Sequence, residues 1–233
     1  MSMMVSPYAF AAAGGGPDPY FSNVILLMGF NGADGSTSFV DESSYGRTVS
    51  AFGNAQIDTA QSKFGVSSLL LDGSGDYLTL PDSNDWDFGS GDWTVELFVR
   101  LNTTGNMAFL GQANAATGWQ FMRESNTLRF NAYAGGQYQA YETGGTWTGP
   151  TGQWFHIAAD RSGNTWRVYR DGVRVFSGTR SNAISNSTDV MKIGRGFSSD
   201  FNGWMDEIRI TKGVARYATD SGFTPPSAAF PRS

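Results

Sequence analysis

Cysteine is absent from the 233 residues, and histidine occurs once. Without cysteine there is no disulfide framework and no thiolate metal site. With His156 as the lone histidine, a Ser-His-Asp arrangement would have to use it. His156 sits in an apolar run beside Trp154 and Phe155, where a structural role is the expectation. Charged residues make up 16% of the chain, with a net charge of −5 and a pI near 4.8. Lysine and arginine are nowhere clustered, so the counterion release that drives nucleic-acid binding has no footing. An anionic membrane is an equally poor partner. The first basic residue is Arg47, so the positive start of a secretory signal is lacking. Tyr8–Ala13 is apolar but too short to span a bilayer.

Catalytic constellations are missing too. A glycosidase needs two carboxyl groups flanking one bond. Glu96 and Glu142 each stand alone in their segments, and strand alternation would send Asp206 and Glu207 to opposite faces. Gly73-Ser74-Gly75 lacks the third glycine and the following helix of a phosphate-binding loop. The expectation is a protein that is not an enzyme.

What the chain does have is glycine, at 30 residues, and aromatics, at 14%. Short β-prone runs separated by turn residues recur from Val24 onward, and no helical period persists beyond a turn or two. In Trp93–Leu101 the apolar Trp93, Val95, Leu97, Val99 and Leu101 alternate with Thr94, Glu96, Phe98 and Arg100. Phe39–Val40 is a further strand candidate. Asp171-Gly172 between two β-rich runs predicts a type I′ hairpin. The pattern predicts an all-β sandwich or barrel, residues 24–233, closed by a Pro-containing C-terminal strap through Pro225-Pro226. Residues 1–23, rich in Gly, Ala, Met and Pro, read as an extended N-terminal arm. The arm is either a loose tail or a strap lying on a partner, with Met4, Tyr8, Phe10 and Tyr20 as its contact candidates.

Six stretches in order carry a family resemblance. Leu71-Asp72-Gly73-Ser74-Gly75-Asp76-Tyr77-Leu78 resembles an F-D-G-x-x-D-Y-L opening, and Trp93-Thr94-Val95-Glu96-Leu97-Phe98-Val99 an F-T-I-E-x-W-V strand. Trp154-Phe155-His156-Ile157-Ala158 is similar to W-H-H-V-A, and Val168-Tyr169-Arg170-Asp171-Gly172 to L-Y-V-D-G. Ile193-Gly194 and Phe201–Ile210 resemble the closing I-G and F-x-G-x-I-D-E-V-R-I strands. Together they resemble laminin-G-like, concanavalin-A-like jelly-roll domains, which implies a two-sheet antiparallel β-sandwich. A narrower likeness, Ile210–Tyr217 with Phe223-Thr224-Pro225-Pro226 and Phe230-Pro231, points to a variant found in tailed-bacteriophage structural proteins. That likeness implies a virion protein made in the host cytoplasm, a capsid decoration protein whose partners are other virion proteins and further copies of itself. The alternative is a carbohydrate-binding adhesin for host surface glycans.

For sugar binding, flat aromatics beside amides are the candidates: Trp119, Asn131, Tyr133, Tyr138, Tyr141 and Trp147. Arg129, Asn131 and Tyr133 should share one strand face, opposite Leu128, Phe130 and Ala132. The competing reading of these aromatics is sandwich core or a protein interface. The resemblance also implies one structural Ca²⁺, for which Asp41 and Asp206 fit best; otherwise Asp41 caps a turn and Asp206 binds a backbone amide.

Overall fold

The structure is a computed structural model that describes residues 16–114, 116–134, 137–141, 147, 149–196 and 199–233. Strands follow one another with two short 3₁₀ turns at Phe21–Asn23 and Asn84–Trp86. In chain order they are β1 (Val24–Met28), β2 (Ser50–Phe52), β3 (Gln56–Asp58), β4 (Ser68–Asp72) and β5 (Tyr77–Leu80). Next come β6 (Trp93–Leu101), β7 (Met107–Ala113), β8 (Gly118–Glu124), β9 (Thr127–Ala134) and β10 (Gln137–Tyr141). The last are β11 (Trp154–Ser162), β12 (Thr165–Arg170), β13 (Val173–Thr179), β14 (Met191–Ile193) and β15 (Asn202–Lys212). An eight-stranded sheet runs β13-β12-β11-β6-β15-β4-β3, with β1 also pairing β15. A seven-stranded sheet runs β10-β9-β8-β7-β14-β5-β2. The expected two-sheet antiparallel sandwich is what the chain forms.

The core lies between the sheets. Trp93, Val95, Leu97, Val99 and Leu101 of β6 point into it, as their alternation predicts. They meet Phe109, Trp119, Phe121 and Phe130 from the other sheet. The Phe130 ring stacks on Trp93 at 4.2 Å and on Trp119 at 5.3 Å, between centroids. The Asp171-Gly172 hairpin forms, with both residues at positive φ (48° and 75°), the geometry that turn requires. Gly172 has a second reason to lack a side chain: a Cβ there would run into the Phe223 carbonyl, which packs directly on the turn.

Phe39–Val40 is not a strand. The Phe39 ring instead packs edge-on against Phe30, and Val40 is exposed. The alternation expected at Asp206-Glu207 is also broken. A bulge between Asp206 and Arg209 puts Glu207 at a φ of 49°. Asp206 then accepts the Lys63 and Phe64 amides, while Glu207 accepts the Phe230 amide and pairs with Arg232. Both carboxylates thus serve segments that pack over the same sheet.

Thr94, Glu96 and Phe98, on the outward side of β6, are buried as fully as its inward side. The cover is the chain after β15, residues 213–233, together with residues 16–23. Phe98 lies in a cluster with Val24, Leu27 and Phe230, joined by Phe64 and Trp154. Tyr217 and Phe223 stack at 3.5 Å and pack on Tyr169 and Ala158. Residues 16–23, assigned to the arm by composition, lie against the sandwich: Asp18 is buried, and its amide donates to the Ser233 carbonyl.

Candidate functional site

Two outer faces are available, one per sheet. The face of the eight-stranded sheet holds a dense set of titratable groups. Register places Glu96 opposite Arg209 on one side and Ala158 on the other, with His156 two residues along β11. Glu96 accepts from Arg209 Nε at 2.9 Å, faces His156 Nε2 at 3.2 Å and takes a short bond from the Tyr217 hydroxyl. Arg209 Nη1 reaches Asp18 at 3.1 Å, and Arg216 holds both Asp18 oxygens at 3.0 and 2.7 Å. Burial pushes the Glu96 carboxyl up, but Arg209, His156 and Arg216 outweigh it and hold the group far below the usual carboxylate range. Asp18 is likewise lowered, with Arg216 overcoming the cost of burial.

A carboxylate, a histidine and a tyrosine in contact are a chemical constellation, yet this one is spent internally. The cleft above it is lined by Asp18, Arg209, Arg216, Tyr217, Pro226 and Phe230. The Arg209 nitrogens are all engaged by Glu96 and Asp18, and those of Arg216 by Thr211 and Asp18. Glu96 and His156 are fully buried. The set clamps both flanking segments to the sheet and offers no group to a ligand.

Asp160, on the same face, shows the opposite electrostatics. Burial pushes its carboxyl up to about 7, against the Ala218 amide and the charge of Arg167. Asp206 is also pushed up to about 7, by burial and by Glu207. One oxygen of each has no hydrogen-bond partner among the described residues.

The outer face of the seven-stranded sheet is built differently. Register sets one row across it: Ser50, Thr79, Lys192, Gly111, Gln120 and Asn131. Their chain neighbours Leu78, Leu80, Met191, Ile193, Phe121 and Phe130 point into the core. Gly111 puts no side chain between Lys192 and Gln120, and a Cβ there would fall 2.9 Å from Gln120 Cγ. Beside this row Phe52 lies opposite Tyr77, their rings parallel within 2° at 4.6 Å. Phe52 is 43% exposed. The Arg195 guanidinium covers the Tyr77 ring at 4.6 Å.

The sugar-site candidates scatter. Trp119 and Trp147 are core residues, at 1% and 2% exposure, so neither presents a ring to a ligand. Trp119 had a readable signal, because it shares the inward parity of Phe121. Arg129, Asn131 and Tyr133 do share the outward side of β9, opposite the buried Leu128, Phe130 and Ala132. Asn131 is nonetheless buried, its Nδ2 on Met122 Sδ at 3.0 Å, and Tyr133 is half-buried. Tyr138 pairs with Tyr133 and Tyr141 with Phe130 along the backbone of β10; their side chains lie outside the described residues. So do Met4, Tyr8, Phe10 and Glu142. Tyr20 stands 5.6 Å beneath the Arg216 guanidinium. The stacked pair of exposed Phe52 and half-buried Tyr77 was missed, since no local pattern joins residues on β2 and β5.

Asp41 and Asp206 are not brought together by any contact described. Asp41 spends its oxygens on the Leu27, Ser43 and Arg47 amides, so it closes a turn. Among the described residues no group of three or more His, Asp or Glu could hold a metal ion. No helix among them is long and apolar enough to cross a membrane.

Residues 72–217 match the family described as the concanavalin A-like lectin/glucanases superfamily. No curated protein matches the sequence. The fold is similar to the binding domain of Paraclostridial Mosquitocidal Protein 1, with TM-score 0.65, 14% identity, and 86% of this chain and 52% of that one covered. It is similar to the receptor binding domain of botulinum neurotoxin D, with TM-score 0.64, 15% identity, and 86% and 52% covered. The chain therefore spans about half the length of these toxin domains. A third similar structure is domain 4 of AbnA, a GH43 extracellular arabinanase from Geobacillus stearothermophilus, in complex with arabinotriose. There the TM-score is 0.59, the identity 22%, and the coverage 82% of this chain and 93% of that one. At these identities the likeness is one of fold. None of the three is described as a virion protein.

Proposed function

This chain belongs to the concanavalin A-like lectin/glucanase superfamily, and on that premise we propose that it is a glycan-binding module without catalytic activity. The contact surface is the outer face of the seven-stranded sheet. The observation that carries this reading is the exposed Phe52, stacked on the half-buried Tyr77 and standing in line with Thr79 and Lys192. A flat apolar surface beside unspent hydrogen-bonding groups is what a sugar ring needs, because one face of the ring is aliphatic and its rim is polar. The toxin domains are binding domains by description, and the arabinanase domain was solved with an oligosaccharide. Both favour binding over turnover. So does the burial of the carboxylate–histidine–tyrosine set, which keeps Glu96 away from a glycosidic bond whose cleavage needs two carboxyl groups at hand.

Titration of the chain against a panel of neutral and acidic polysaccharides tests the proposal. Binding is expected, and Phe52→Ala should weaken it about tenfold, the worth of one stacking contact. A panel without any binder overturns the reading.

A further inference from the structure

The charge on the proposed face narrows the ligand. The chain contains three lysines. Lys63 packs over Phe64 and Phe98, and Lys212 donates to the Asn84 carbonyl. Lys192 differs: among the described residues no carboxylate, carbonyl or ring engages its ammonium. It sits on β14, an interior strand, directly between Thr79 of β5 and Gly111 of β7. Neither neighbour is charged. Lysine is depleted in strands, and an ammonium without a partner adds no ion pair to the fold. Arg195, three residues on, adds a second cation above Tyr77; its carboxylate, Asp200, stands 3.6 Å away and also accepts the Gly75 amide. A chain of net charge −5 thus turns a locally positive surface toward the proposed ligand.

We infer that the glycan is acidic, and that Lys192 is the counter-ion for a ring carboxylate, as in a uronic acid. This rests on the glycan-binding reading above. Tyr77 and Thr79 are two residues apart on one face, about 7 Å along the strand, and Lys192 lies directly opposite Thr79. A six-membered ring resting on the exposed Phe52, at the head of this row, can turn its carboxylate toward the Thr79 hydroxyl and the Lys192 ammonium. The resulting charge-assisted bond is stronger than a neutral one and selects against the uncharged sugar.

Affinity electrophoresis and titration of the full chain against polygalacturonate and its fully methyl-esterified form supply the test. Esterification removes the charge and keeps the backbone sugar. Polygalacturonate is expected to bind at least tenfold tighter at low salt, and Lys192→Gln to erase the difference while Lys192→Arg keeps it. Equal binding of the two polymers, or a preference that survives Lys192→Gln, overturns the acidic-sugar inference and leaves glycan binding standing. Tighter, Lys192-dependent binding of dextran sulfate than of polygalacturonate overturns the carboxylate in favour of a sulfate. Binding to no polymer, neutral arabinan included, removes the glycan reading itself.

Discussion

The two outer faces draw on the same residue types and end in opposite states. On the eight-stranded sheet the prominent ion pairs join Glu96 with Arg209, Asp18 with Arg216 and Glu207 with Arg232. Aromatics there stack on covering segments, as Phe223 does on Tyr217. On the seven-stranded sheet Lys192 has no partner among the described residues, and Phe52 is open to solvent. A polar group that is buried and satisfied holds the fold; one left unspent on a rigid sheet is available to something else. A dense cluster of titratable side chains is therefore the poorer functional candidate here.

The largest effect expected from breaking this contrast is on the clamped face. Arg209→Met strips Glu96 and Asp18 of a shared partner and leaves buried charge uncompensated, at a cost of about 3–5 kcal/mol in urea unfolding. Phe230→Ala empties the site among Val24, Leu27 and Phe98 and lies under the same arginine; it should cost about 3 kcal/mol.

A smaller effect is set by pH. Folded Asp160 and Asp206 keep their protons up to about 7, whereas the unfolded chain releases them near 3.8. Their contribution is therefore full below the unfolded value, falls as pH climbs toward 7, and is flat beyond. Glu96 and Asp18 act in the reverse sense and in a lower window, their contribution being lost as acid protonates them below the usual carboxylate range. Unfolding midpoints between pH 5 and 7 should fall, and Asp160→Asn should remove its share, about 2 kcal/mol over those two decades. The smallest effect belongs to the open face. Lys192→Gln should shift stability by less than about 0.5 kcal/mol while changing polymer preference, which separates the two faces by a single pair of measurements.

Much of the fold was legible because its signals are local. The β6 alternation and the Asp171-Gly172 turn need no knowledge of the rest of the chain. A second tight hairpin, Ser125-Asn126 with both φ positive, carries no glycine and escaped notice. The burial of Thr94, Glu96 and Phe98 was not legible, since their cover comes from both ends of the chain; Arg209 and Asp18 are 191 residues apart. Nor was the Glu207 bulge, which overturns a parity argument that holds for most of β15. The candidate site was legible in part: Arg129, Asn131 and Tyr133 were placed on the correct side of β9, but Phe52 and Tyr77 become neighbours only through register.

The bond from the Asp18 amide to the Ser233 carbonyl has an architectural consequence. It brings both flanking segments to one spot on the outer side of the eight-stranded sheet, opposite the Phe52–Lys192 surface. A passenger joined at either point hangs behind the sandwich. Copies displayed side by side on a scaffold would then all look outward, and weak individual contacts would add up as avidity along a polymer.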